Sequence, residues 1–126
     1  MSLQTMEPAP TWTPGADERA AIETFEAVAA DLTITVWGGD WCGDCQRELP
    51  PFAAALNAAN IDPATVEQYP VEKEPDGSKI GPMVAEYDIE SIPTIVIERT
   101  GVEIARFVES APRPAIVELA TELQPE

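Results

Sequence analysis

The chain has 126 residues, the length of one domain that can bury a continuous apolar core without disulfide staples. It sets 23 acidic residues against 7 basic ones with no histidine, a formal charge of -16, which argues against nucleic acid or an anionic membrane as partner. Like charge of this size opposes a compact state in dilute salt, and molar salt screens it within about 3 Å. The surface therefore reads as adapted to a concentrated-salt cytoplasm such as that of a halophilic archaeon, or else as that of an ordinary acidic protein.

Met1 to Trp12 has neither a basic start nor a hydrophobic run, so no secretory signal or membrane span is expected and the protein is placed in the cytoplasm. Residues 1–16, rich in Pro and Thr, read as an N-terminal arm with Trp12 as its anchor, and residues 17–126 as a single domain. From Asp17 to Ala30, Ile22, Phe25 and Val28 or Ala29 recur at helical spacing behind acidic first-turn residues. Leu32 to Gly38 is a short apolar run ending at Gly38-Gly39, a buried strand followed by a loop.

After that loop, Cys45, Leu49, Phe52 and Leu56 form a helical stripe running to about Ala59. Pro50 and Pro51 interrupt it, each costing about 3 kcal/mol inside a helix, and predict a kink. Thr65 to Glu72 reads as a second strand, Lys73 to Pro82 as a loop and Met83 to Tyr87 as a short helix. Ile92 to Glu98 and Val102 to Val108 are strands joined at Thr100-Gly101 into a hairpin, and Pro114 to Leu123 closes the chain with a helix. This order of elements implies an α/β fold with a central mixed sheet flanked by helices on both faces.

Cys42 and Cys45 are the only cysteines, three positions apart in Trp41-Cys42-Gly43-Asp44-Cys45. A disulfide between them closes too small a loop to be worth much as a staple. In a reducing cytosol such a pair points to redox catalysis or metal binding. Zinc wants four Cys or His ligands, and two cysteines without histidine supply them only if a dimer shares two pairs, so no metal is expected.

Three features in this order resemble the thioredoxin family over roughly residues 17–124. They are the strand Ile34-Thr35-Val36-Trp37 leading into the cysteine motif, Pro50 five residues after Cys45, and Ile92-Pro93-Thr94 before a terminal hairpin and helix. The resemblance implies a thioredoxin-like fold, a cis bond before Pro93, and a thiol-disulfide oxidoreductase whose only redox group is the Cys42-Cys45 disulfide. Cys42 would attack a substrate disulfide and Cys45 would resolve the mixed disulfide. Gly43 would permit the tight turn, and Trp41 would cover the site or serve as a plain core aromatic. The Ile92 backbone beside Pro93 would pair with the substrate. Protein disulfides and an upstream reductase are the implied partners of a chain expected to act as a monomer.

The chain departs from the family pattern at three places. Val36 stands where thioredoxins carry a buried aspartate, Asp44 where they carry proline between the cysteines, and Glu109-Ser110 where they place a glycine. Asp44 either serves the helix dipole or, with Asp40, disfavours the Cys42 thiolate and moves the couple toward a reductant. Without an aspartate at position 36, Asp44 through a water, or less directly Glu72 or Lys73, is the candidate proton acceptor for Cys45. The competing reading is a thioredoxin-fold interaction module whose dithiol is regulatory or idle.

Overall fold

A computed structural model describes residues 3–123. Its elements are α1 (Ala16–Val28), β1 (Leu32–Gly38), α2 (Gly43–Ala58), β2 (Val66–Pro70), β3 (Glu72–Lys73), β4 (Lys79–Ile80), β5 (Thr94–Arg99), β6 (Val102–Val108) and α3 (Ala115–Leu123). Short 3₁₀ turns lie at Gln4–Met6 and Pro63–Thr65.

β1 is buried from Ile34 to Gly38, which is why it reads as a continuous apolar run rather than an alternation. It pairs parallel to β2 and antiparallel to β5, and β5 continues antiparallel into β6, giving the order β2-β1-β5-β6. The β5–β6 turn uses left-handed Thr100 (φ 49) and Gly101 (φ 85), the backbone that matches strand twist in a tight hairpin. The result is the expected mixed sheet flanked by helices.

α1 begins at Gly15, whose N–H donates to the Glu18 carboxylate at 3.1 Å, and buries Ala21, Ile22 and Phe25 against α3. α2 ends on left-handed Asn60 (φ 58), with the Ile61 N–H returning to the Leu56 carbonyl at 3.0 Å. The helix runs on through Pro50 and Pro51 rather than stopping there. The two missing N–H groups free the carbonyls of Gln46 and Arg47, exposed residues that water can reach.

Two further segments differ from the sequence reading. Within the loop expected from Lys73 to Pro82, Glu72–Lys73 and Lys79–Ile80 pair as a two-stranded ribbon closed at Gly77 (φ 92). The strand expected from Thr65 to Glu72 accordingly divides at Val71, with Glu72 passing into that ribbon. Met83 to Tyr87 makes consecutive turns instead of a helix, with Met83 (φ 60) and Asp88 (φ 54) left-handed. These turns cover the sheet where Trp37 lies. The Trp37 indole N–H donates to the Pro82 carbonyl at 2.8 Å, and its ring meets Tyr69 and Tyr87 at centroid distances of 5.6 and 5.0 Å.

The N-terminal arm lies on the domain. Leu3 and Met6 are buried in the core, Trp12 is half-buried against it, and Ala9 N–H donates to the Pro50 carbonyl at 3.2 Å. No helix among the described residues is long and apolar enough to cross a membrane.

Candidate active site

Cys42 is the N-cap residue of α2, with extended backbone (φ -90, ψ 126) and its carbonyl accepting the first helical N–H, from Gln46, at 3.0 Å. Its sulfur therefore sits at the positive end of the helix, among N–H groups that have no intrahelical acceptor. The two thiols are free, with Cys42 half-buried and Cys45, one turn on, fully buried. The Ile92–Pro93 bond is cis, and the Cys42 thiol lies 3.8 Å from the Ile92 carbonyl oxygen. Thus Cys42, Cys45, Ile92 and Pro93 converge, although 47 or more positions separate the two pairs in sequence.

Burial pushes the Cys45 thiol up to about 12. The Gly39 N–H, which donates to its sulfur at 3.4 Å, pulls the other way, while the Cys42 thiol and the Asp44 charge add to the rise. Cys45 is therefore a thiol at neutral pH and needs a base or an assisting donor before it can attack.

Trp41 is 52% exposed, and its indole N–H donates to the Val71 carbonyl at 3.0 Å. It is not a core aromatic but a ring laid across the surface. The steric requirement for glycine falls on Gly39 beneath that ring, since a Cβ there would meet the indole at 2.5 to 2.7 Å. Gly43, by contrast, has open space around any Cβ and an ordinary φ as the first residue of α2. The tight turn thus does not need glycine at 43. Gly39→Ala is expected to lift the ring from Val71, seen as faster solvent exchange of the Trp41 indole proton in NMR spectra; unchanged exchange would show that the ring is held elsewhere.

The two carboxylates flanking Cys42 are both engaged. Asp44 forms an ion pair with Arg47 one turn on, a partner that the i, i+3 helical spacing would have revealed. Asp40 accepts from Gln4 N–H at 3.1 Å, Thr5 N–H at 2.9 Å and the Thr5 hydroxyl at 3.0 Å. Burial alone would raise its pKa, but these three bonds outweigh it and hold the carboxyl below its ordinary value. Glu72 and Lys73 are exposed on the β3–β4 ribbon. Val36 is fully buried in β1, so no ionisable side chain stands there. Among the described residues no group of three or more His, Cys, Asp and Glu side chains gathers to hold a metal ion.

Glu109 stands in the loop after β6, where the family pattern has a glycine. It is left-handed (φ 63), and its N–H donates to the Pro93 carbonyl at 2.7 Å, closing the loop after β6 onto the cis proline. An exposed Glu at such a φ is uncommon, and nothing local in the sequence announces it.

Comparison with known proteins finds similarity in sequence to thioredoxins. The family model described as thioredoxin matches residues 20–122. A thioredoxin of Mycoplasma pneumoniae is 32% identical over 91 residues, covering 72% of this chain and 80% of its own. A thioredoxin of Chlamydia trachomatis serovar D is 25% identical over 99 residues, 79% of this chain and 89% of its own. The solved mitochondrial thioredoxin 3 of Saccharomyces cerevisiae, in its oxidized form, aligns with 77% of this chain and 91% of its own at a TM-score of 0.49 and 17% identity.

Proposed function

This chain belongs to the thioredoxin family, and on that premise we propose that it reduces protein disulfides in a salt-rich cytoplasm by exchange at Cys42 and Cys45. Family membership makes it a thiol-disulfide oxidoreductase in general. The observation that carries the finer reading is the pair of free thiols on the first turn of α2, one reachable and one buried, beside the Ile92 carbonyl.

In this mechanism Cys42, at the N-terminus of α2, reacts as its thiolate. That thiolate attacks a substrate disulfide, forms a mixed disulfide and releases one substrate thiolate. Cys45 loses its proton and attacks the Cys42 sulfur, expelling the second substrate thiolate and leaving the Cys42-Cys45 disulfide. Two electrons pass from the dithiol to the substrate, and an upstream reductase restores them. Ile92 offers backbone to an extended substrate segment, the exposed Trp41 ring offers apolar surface beside it, and the protein works as a monomer.

The acidic surroundings favour a reductant. The Asp44 charge opposes ionisation of the Cys45 thiol, and stabilising a reduced thiolate by one pK unit is worth about 30 mV in a two-electron couple. Arg47 shares the Asp44 charge, so Asp44→Pro is expected to raise the potential by less than about 30 mV.

Buried Val36 favours the second reading, an interaction module with an idle dithiol, because it leaves Cys45 without a carboxylate at that position. Titration of the dithiol against defined thiol-disulfide buffers in concentrated KCl, read by Trp fluorescence, separates the two. A potential near or below about -270 mV, the characteristic value of thioredoxin, supports the reductant. A value well above about -200 mV marks an oxidant or isomerase, and no disulfide at all supports the module.

A further inference from the structure

With Val36 buried at the expected aspartate position, the Gly39 N–H is the hydrogen-bond donor the protein supplies to the Cys45 sulfur. What holds that N–H in place lies far away in sequence. The Asp40 side chain, one residue on, takes the N–H groups of Gln4 and Thr5 and the Thr5 hydroxyl. The Asp40 carbonyl takes the Gln46 amide at 2.8 Å, tying the same turn to α2. Leu3 donates its N–H to Gln68 of β2 at 2.7 Å and is buried against Gly38. A Cβ on Gly38 would lie 3.1 Å from Leu49, 3.2 Å from Leu3 and 3.5 Å from the Cys45 sulfur, so all three side chains converge on that glycine. Ala9, at the other end of the segment, is fastened to the Pro50 carbonyl. The residues from Leu3 to Ala9 lie outside the 20–122 that match the family model.

We propose that Leu3–Ala9 is a strap that clamps the Gly38–Asp40 turn through Asp40 and so aims the Gly39 amide at Cys45, with Thr5 and Asp40 as positioning residues for the resolving step. A hydrogen bond from this amide stabilises the Cys45 thiolate that must form during resolution, and a donor that wanders loses that effect. The strap thereby contributes part of what a buried carboxylate would otherwise supply. The inference rests on the dithiol reading above.

The two chemical steps separate with dithiodipyridine as substrate. Cys42 attacks its disulfide and releases one thiopyridone. Cys45 then gives up its proton, which ends through solvent on the leaving pyridinethiolate, attacks the Cys42 sulfur and releases the second thiopyridone, leaving the protein disulfide. Thr5→Pro in the full chain deletes the N–H and the hydroxyl while keeping the Asp40 charge. Its second phase is expected to slow about tenfold at neutral pH, the effect of losing about 1.4 kcal/mol of thiolate stabilisation. The pH profile of that phase should move upward, while the first phase stays little changed. Thr5→Ser, which keeps both donors, should behave as the parent.

A defect in folding alone would not separate the two phases in this way. Asp40→Ala removes all three acceptor contacts together with a charge near the dithiol, so its second phase is expected to slow relative to its first. If the Gln4 amide exchanges freely in Thr5→Pro and the second phase is still that of the parent, the strap has no part in resolution. A parent that never releases the second thiopyridone would instead overturn the dithiol reading, and this inference with it.

Discussion

Cys42→Ser is expected to lower turnover of a disulfide substrate by at least about 10³-fold, because it removes the proposed nucleophile and leaves only binding and orientation. Cys45→Ser gives a different result. It is expected to attack once through Cys42, release one thiolate and stop as a mixed disulfide, since the buried sulfur that would close the cycle is gone. The two variants are compared by steady-state reduction of a disulfide-bonded protein and by non-reducing electrophoresis of the trapped product. The positions explain the asymmetry: Cys42 is half-buried at the helix N-terminus, while Cys45 is fully enclosed with its thiol held protonated near neutral pH. Residual turnover in Cys42→Ser within tenfold of the parent would refute the assignment. Stable covalent partners on Cys42→Ser but not on Cys45→Ser would exchange the two roles. Intact noncovalent partner binding in Cys42→Ser is compatible with either reading, so the trapped Cys45→Ser product is what distinguishes enzyme from module.

The largest stability loss is expected from Trp37→Ala, at roughly 3–5 kcal/mol. Trp37 is among the largest fully buried side chains, and it joins β1 to the turns at 82–88 through its bond to the Pro82 carbonyl and its contacts with Tyr69 and Tyr87. Truncation removes the ring, opens a cavity and leaves that carbonyl without its donor. Against a total stability of about 5–15 kcal/mol for a domain, this is a large fraction. Denaturant unfolding in concentrated KCl should show a much lower midpoint with an unchanged slope. Trp37→Phe keeps an aromatic ring but loses the N–H together with part of the indole's volume, so a smaller loss of about 1–3 kcal/mol is expected. A loss under about 1.5 kcal/mol in Trp37→Ala would mean that the turns at 82–88 contribute little to holding the sheet.

Periodicity and turn chemistry sufficed to read β1 and β6 to the residue, α1 and α3 to within one or two, and the type of sheet. Each of those signals is local: a stripe at helical spacing, a β-branched run, a Thr-Gly turn. The cysteine motif was legible for the same reason, as its chemistry is carried by five consecutive residues, and Ile92-Pro93 was legible through family resemblance. Where local preference was weak, the reading went astray. Met83 to Tyr87 has helix-compatible residues, yet left-handed Met83 and Asp88 turn the chain so that Pro82 and Tyr87 can cover Trp37. The segment 73–82 is polar and rich in turn residues, but a ribbon forms within it because Gly77 closes the turn.

The site divides along the same line. Sequence by itself determined that two thiols stand one helical turn apart at a helix N-terminus, because spacing and the following apolar stripe set both. Only the tertiary structure decided what surrounds them. The glycine that matters is Gly39 under Trp41 rather than Gly43, Asp40 serves an arm 35 residues earlier in the chain, and Glu109 closes onto Pro93. Contacts between residues so far apart leave no periodic trace, because each depends on where the packed sheet and helices bring backbone N–H and C=O groups together, and those groups are present at nearly every position whatever the side chain.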